Sequence, residues 1–312
     1  MEKSKVYFTD FRAKLGEGLP SKLKRLIKAA GIGDIDMDGK FVAIKMHFGE
    51  LGNISYLRPN YAKAVADTVK ELGGKPFLTD CNTMYPGSRK NALEHLECAW
   101  ENGFTPLTVG CPVIIGDGLK GTDDIEVPVC GGEYVKNAKI GRAIMDADVF
   151  ISLTHFKGHE MTGFGGAIKN IGMGCGSRAG KTEQHSNGKP NIRENRCRGC
   201  RRCLRECANG GLVFDEEKKK MTVNTENCVG CGRCLGACNF DPLALDRACA
   251  DACLAATPLP NSQLSDNMAK ADFHDHHDHF KNSRPESEWE TCLAHAAKIG
   301  LGSLDYELVK IK

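Results

Sequence analysis

The stretch Phe41-Val-Ala-Ile-Lys45-Met-His47-Phe48 reads as a strand, and the elements on its carboxyl side decide the fold. A helix is predicted over Pro59–Leu72, with Pro59 just inside its start and Gly73-Gly74 just past its end, the usual asymmetry of helix termini. A second strand is predicted at Pro76–Asp80. Working outward, the sequence predicts strands at Lys5–Phe11, Val113–Gly116, Glu126–Cys130 and Val149–His155, and helices at Ser21–Ala30, Ser88–Asn102 and Val135–Ala147. Within Ser88–Asn102, Lys90, Asn91 and Glu94 share a polar face, while Leu93, Leu96 and Trp100 recur at helical spacing. Alternating β and α elements argue for an α/β domain with a mostly parallel sheet.

At 312 residues the chain can bury a sizeable core, as one large domain or two smaller ones. Its net charge of +2 gives no global attraction to nucleic acid or to a membrane surface. No apolar run follows Met1-Glu-Lys-Ser-Lys5, so no signal peptide is expected, and no stretch reaches the apolar length that spans a bilayer. These features place the chain in the cytoplasm, with no nucleic-acid or membrane partner.

Sixteen cysteines would suggest disulfides in a small secreted protein, but half of them fall in a repeated pattern. Cys197-Arg-Gly-Cys200-Arg-Arg-Cys203-Leu-Arg-Glu-Cys207 recurs as Cys228-Val-Gly-Cys231-Gly-Arg-Cys234-Leu-Gly-Ala-Cys238. Both copies have the spacing C-x2-C-x2-C-x3-C of a cubic 4Fe–4S cluster. The fourth Cys of each points away and serves the other cluster in two-cluster proteins. One cluster is therefore assigned Cys197, Cys200, Cys203 and Cys238, the other Cys228, Cys231, Cys234 and Cys207. Zinc is the competing reading of paired CxxC units, but it has no use for a third cysteine at this offset in both copies.

Arginines crowd the first loop (Arg193, Arg196, Arg198, Arg201, Arg202, Arg205), and the charged turn Asp215–Lys220 separates Leu212–Phe214 from Met221–Val223. Residues 189–240 thus read as a compact α+β ferredoxin-like module with a hairpin, inserted between two parts of the α/β domain, 1–188 and 241–312. Amphipathic helices at Pro242–Ala256 and Glu288–Ile299 and a strand at Tyr306–Ile311 return the chain to that domain. The proline that commonly follows the fourth Cys is replaced by Ala208 and Asn239.

Polar chemistry outside the cysteine loops gathers where strands are predicted to end, which is where open α/β sheets place their sites. The densest stretch runs from His155 to Lys181, with Lys157, His159, Gly165, Gly166, Lys169, Asn170 and Arg178 among its members and eight glycines in all. Glycines let a backbone approach a ligand. Lys157, Arg178 and Lys181, with Gly165 and Gly166, are expected to hold a small anionic ligand, and His155 and His159 to move protons or bind a further metal. Read as a helical turn, His155 and His159 would face the same ligand. His47 and Glu50 follow one strand, and Asp80, Asn82 and Tyr85 the next, with Arg89 close behind. His47, Glu50, Asp80, Asn82 and His155 are expected to converge on one crevice, and His47, Glu50, Asp80, His155, His159 and Lys169 are the candidate catalytic groups. The bland alternatives are a solvated glycine loop and ordinary turn capping.

Two weaker signals remain. Cys175–Thr182 nearly matches the phosphate loop G-x4-G-K-[ST], but Cys175 stands at the first glycine position and no clean strand precedes it. Asp272-Phe-His274-Asp275-His276-His277-Asp278-His279 is a compositional metal signal, in which i,i+4 pairs would face one way on a helix.

The chain resembles the iron–sulfur protein family known as domain of unknown function 362. The resemblance rests on Lys45-Met-His47-Phe-Gly-Glu50, Ser55-Tyr-Leu-Arg58-Pro59, Leu78-Thr-Asp80-Cys-Asn82-Thr83, Ile115-Gly-Asp117-Gly118, His155 through Lys181 and Asp241-Pro-Leu-Ala-Leu-Asp246. It implies an α/β domain carrying a two-cluster ferredoxin insert, and brings no settled activity. The chain departs from the family at Phe240-Asp241, where a further segment of some dozens of residues is expected.

The leading functional expectation is an oxidoreductase whose clusters relay electrons to the His/Lys/Gly-rich site, with an acidic ferredoxin or flavodoxin docking on the arginines. The alternatives are a dedicated ferredoxin-type electron carrier and a non-enzymatic binding or assembly factor with structural clusters. No G-x-G-x-x-G follows a strand in the first half, so nicotinamide or flavin binding has no motif behind it.

Overall fold

The computed structural model describes residues 4–85, 87–132, 135–159, 163–186, 197–207, 210–228, 263–270, 272–275, 277–283 and 306–311, with single positions 192, 194, 234, 290, 291, 294 and 298. Its centre is a four-stranded sheet of β2 (Phe41–Lys45), β3 (Lys75–Asp80), β4 (Val113–Ile115) and β7 (Val149–Ser152), in the spatial order β4-β3-β2-β7. Every pairing in it is parallel. With the helices around it this is an α/β domain.

Helices α1 (Leu19–Ala29), α2 (Pro59–Glu71) and α3 (Ala92–Glu101) supply the α layers, joined by the one-turn helices α4 (Pro106–Val109) and α5 (Arg142–Met145). Helix α2 buries Ala62, Val65, Ala66 and Val69, a stripe at i, i+3, i+4 and i+7. That stripe joins Val42, Ile44, Leu78, Phe104 and Val109 in the main core. Burying each valine there is worth roughly 1.5–3 kcal/mol. Gly73, at φ 80, ends α2 in the left-handed region that a side chain would resist.

Beside the sheet lie antiparallel hairpins: β5 (Asp124–Pro128) with β6 (Asn137–Gly141), and β8 (Lys157–His159) with β9 (Gly163–Gly165). A third hairpin, β10 (Leu212–Asp215) with β11 (Lys220–Val223), agrees with the sequence reading around the Asp215–Lys220 turn. β1 (Ser4–Phe8) pairs in parallel with β12 (Tyr306–Lys310), so the expected last strand forms.

The structure corrects several expectations. Residues 135–147 are not a helix but β6 followed by the short α5, because β5 supplies five antiparallel partners for β6. Gly141 lies so tightly against Cys81 and Gly116 that an added Cβ would sit 2.6 Å from the Cys81 Sγ. Of the apolar positions that recur along α3, Leu96 packs against the core, whereas Leu93 and Trp100 are 63% and 50% exposed, and the fully buried residues are His95, Cys98 and Ala99. Asn91 caps α3 by accepting from the Glu94 N–H at 3.0 Å. β7 stops at Ser152, so His155 lies past the strand in irregular chain. Residues 272–275, 277 and 278 are not helical: Asp278 accepts from the Phe280 and Lys281 N–H groups and caps a helix that starts at His279. The helix expected at 242–256 lies outside the described residues, as does most of 288–299.

Candidate functional site

The carboxyl ends of β2 and β3 place two opposite charges in the protein interior. Lys45, 1% exposed, pairs with Asp80 at 2.9 Å and donates to the Asn170 Oδ1 at 2.7 Å. Asp80 also accepts from its neighbour Cys81 N–H (2.9 Å) and pairs with Arg89 at 3.3 Å. Burial alone would push the Asp80 carboxyl up, but the cations Lys45 and Arg89 beside it outweigh that and hold it well below the usual carboxylate range. Arg89 reaches on to Glu50, with which it is also ion-paired, and donates to the Tyr85 hydroxyl at 2.8 Å. Tyr85 in turn donates to Glu50 at 2.7 Å. His95, fully buried against Phe48, stands 3.8 Å from Asp80. Burial lowers its pKa to about 3, so it is neutral at pH 7 and the contact is no ion pair. Neither ring nitrogen of His95 has a hydrogen-bond partner among the described residues.

Asn170 bolts the next element onto this network. Its amide donates to the Lys45 carbonyl (3.1 Å), the Ser152 hydroxyl (3.0 Å) and the Thr154 hydroxyl (3.0 Å), tying helix α6 (Ala167–Gly172) to the ends of β2 and β7. Lys169 precedes it and is half-buried. Burial, then Lys157, then Arg89 push the Lys169 ammonium down to about 5. His159 is lowered to about 3 by burial, Lys169 and Lys157. His47 is lowered by burial and Arg89, and it accepts from the Gly49 N–H at 2.9 Å.

His47 and Glu50 after β2, Asp80 at the end of β3, His159 at the end of β8 and Lys169 on α6 therefore share one electrostatic neighbourhood with Lys157. His155 couples only to Lys157 in its titration, and it is not on a helical turn with His159, because residues 157–159 are a strand. Gly165 pairs with Lys157 across that hairpin, and Gly166 caps α6. Lys45, Tyr85, Arg89 and His95 complete the network. Lys45 carried a sequence signal, as a charged residue in an otherwise apolar strand.

A second buried network lies behind the first. Asp117 accepts from the Asn82 N–H (2.9 Å) and side-chain amide (2.8 Å), while its other oxygen has no hydrogen-bond partner among the described residues. Burial raises its pKa in spite of Lys181 and Arg178. Arg178 and Lys181, on helix α7 (Arg178–Ser186), are buried and donate to the carbonyls of Lys90 and Gly176. They serve this interior rather than an open phosphate loop, and Thr182 bonds back to the Arg178 carbonyl at 2.8 Å.

The β10–β11 hairpin stands between the two cysteine loops. The Met221 N–H donates to the Cys197 Sγ at 3.3 Å, and Lys220 bonds the Cys197 carbonyl. Gly199, at φ 65, lies against Lys219, and a Cβ on Gly211 would come 2.7 Å from the Cys228 Cα. Thiolates that accept backbone N–H groups on glycine-crowded loops suit an iron–sulfur cluster in donor chemistry. Among the described residues no three His, Cys, Asp or Glu side chains converge on a metal position, and Cys231 and Cys238 lie outside those residues.

Fold and site together define an α/β protein with a buried network of paired charges at the carboxyl edge of a parallel sheet. The family described as Domain of unknown function (DUF362) matches residues 42–251, more than half of the chain, and the chain belongs to it. It is 29% identical over 167 residues to the Thylakoid-associated protein sll1697 of Synechocystis sp. (strain ATCC 27184 / PCC 6803 / Kazusa), covering 50% of this chain and 46% of that protein. The chain thus spans about half the length of the curated relative it matches. No solved structure matches it. No helix among the described residues is long and apolar enough to cross a membrane.

Removing the Asp80 charge leaves Lys45 and Arg89 buried without it, so Asp80→Asn should cost about 3–5 kcal/mol in urea denaturation near neutral pH. Because the folded-state pKa of Asp80 is depressed, its stabilisation is complete above the unfolded value of about 3.9 and is lost as pH falls through the folded value. The gap between wild type and variant should be level from pH 8 to pH 5 and narrow below about pH 4. Equal stabilities at pH 7 would overturn this reading of the network.

Proposed function

We propose that this chain is an iron–sulfur oxidoreductase in which two 4Fe–4S clusters exchange single electrons with a small anionic ligand in the crevice around Lys157, His159 and Lys169. The repeated C-x2-C-x2-C-x3-C pattern carries the reading. Cys197, Cys200, Cys203 and Cys238 hold one cluster, and Cys228, Cys231, Cys234 and Cys207 the other, in a ferredoxin-like module over 189–240. The clusters supply one-electron steps. The N–H of Met221 at the Cys197 sulfur supports a thiolate there, because a backbone donor stabilises negative charge on sulfur.

Within the crevice, Lys157 contributes fixed positive charge, and His159 and Lys169, neutral at pH 7, can take up a proton as an anion arrives. Asp80 and Glu50 balance the charges of Lys45 and Arg89 and hold the loops around them in place. An elaborate cationic crevice has no role in a simple electron carrier, which favours an enzyme over the carrier reading.

Exposed Arg202 and Arg205 present positive charge beside Cys203 for an acidic ferredoxin or flavodoxin, whereas Arg201 is engaged by Glu216 at 2.9 Å and stacks over Phe214. Opposite charges steer such an encounter, so reduction by an acidic ferredoxin should slow as ionic strength rises. A salt-independent stopped-flow rate would remove the docking face.

Cys207→Ser tests the crossed ligand set. Its loss should alter the electron paramagnetic resonance of the cluster on the second loop more than that on its own loop. A change confined to the first-loop cluster would refute the assignment.

A further inference from the structure

Helix α3 buries His95, Cys98 and Ala99 and turns its other side to solvent. On that side Leu93, Glu97, Trp100 and Glu101 fall at i, i+4, i+7 and i+8, so they share one face, and all four are exposed. The apolar area continues onto exposed Leu119, whose carbonyl accepts from the Ala92 N–H at 3.0 Å where the helix begins. Glu94 is ion-paired with Lys90, but Glu97 and Glu101 have no ion pair or hydrogen bond among the described residues. A tryptophan flanked by two unpaired carboxylates suits a cationic partner: the ring offers area and a π face, and the acids set the sign.

The chain itself carries matching chemistry. The one-turn helix Arg202–Arg205 presents Arg202 and Arg205, both exposed and without ion pair or hydrogen bond among the described residues. The i,i+3 spacing of these arginines and the i,i+4 spacing of Glu97 and Glu101 both set neighbours roughly 5–6 Å apart at Cβ, so two ion pairs can form together. Stacking of arginine on an aromatic ring already occurs on this loop, where Arg201 lies 3.7 Å from the Phe214 ring centroid. Within one chain these acids and arginines leave one another unpaired, so the match is available only between copies.

We propose that two copies of this chain associate through a contact in which Arg202 and Arg205 of one pair with Glu97 and Glu101 of the other, and a guanidinium stacks on Trp100. Trp and Arg are the side chains that most often dominate interface energetics, and paired charges fix the register. Each copy carries both surfaces, so a two-fold axis uses the contact twice and closes a dimer. The inference holds whether or not the crevice is catalytic. Association covers the two arginines that face an acidic ferredoxin, so the two contacts compete.

The test is sedimentation velocity on the full chain, purified anaerobically, from about 1 µM to about 100 µM at low and high salt. At low salt the mean sedimentation coefficient should rise with concentration, and high salt should shift that rise to severalfold higher concentration. Trp100→Ala should weaken association about tenfold. Glu97→Lys with Glu101→Lys should stay monomeric, as should Arg202→Glu with Arg205→Glu, because each sets like charges across the contact. Mixing these two variants restores opposite charges at both contacts, so the mixture should associate although neither variant does alone. Metal content should match wild type in both; if Arg202→Glu with Arg205→Glu falls short, Arg205→Ala is the milder variant and should weaken association severalfold. Wild-type chain that remains monomeric at about 100 µM and low salt overturns the proposal. Association unchanged by Glu97→Lys with Glu101→Lys, or a mixture no more associated than its components, overturns it as well.

Discussion

Asp80 is the point on which the molecule turns. A carboxylate at the buried end of β3 is tolerable only because Lys45 from the adjacent strand and Arg89 from the following loop are brought to it. Each of those partners then makes a second commitment. Lys45 reaches Asn170 and so fixes α6, while Arg89 reaches Glu50 and Tyr85 and so fixes the loops after β2 and β3. One buried charge thus sets three strand-end loops in register. Apolar residues could fill the same volume with less desolvation cost, so the network serves geometry rather than stability.

Geometry is what the crevice requires. Burial, with Lys157 nearby, disfavours the protonated forms of His159 and Lys169. The Asn170 bonds anchor α6, which carries Lys169, to the ends of β2 and β7. In the cysteine region backbone packing does the same: Gly199 lies close to Lys219 and Gly211 close to Cys228, at the two sides of a hairpin whose Met221 N–H faces the Cys197 sulfur.

The parallel sheet was legible because its strands and α2 are marked locally, by apolar runs and by Pro59 and Gly73 at the helix ends. The strand β6 was not legible, since nothing within Asn137–Gly141 announces that Asp124–Pro128 will pair with it. His95 was missed for a related reason. On sequence it belongs to an exposed-looking helix, and only the distant Asp80 and Phe48 turn that face inward, leaving Leu93 and Trp100 outside. The strand-end rule did locate His47, Glu50, Asp80 and Asn82, but the structure divides them: Glu50 and Asp80 meet through Arg89, whereas Asn82 turns to Asp117. His155, three residues past the end of β7, meets the charged group only through Lys157.

Function turns finally on what the eight paired cysteines hold. Metal and acid-labile sulfide determined on anaerobically purified full-length chain, with electron paramagnetic resonance after reduction, address that directly. About eight irons and as many sulfides per chain, with cubane-type signals, are the expected result. Zinc in place of iron, with no labile sulfide, would contradict it.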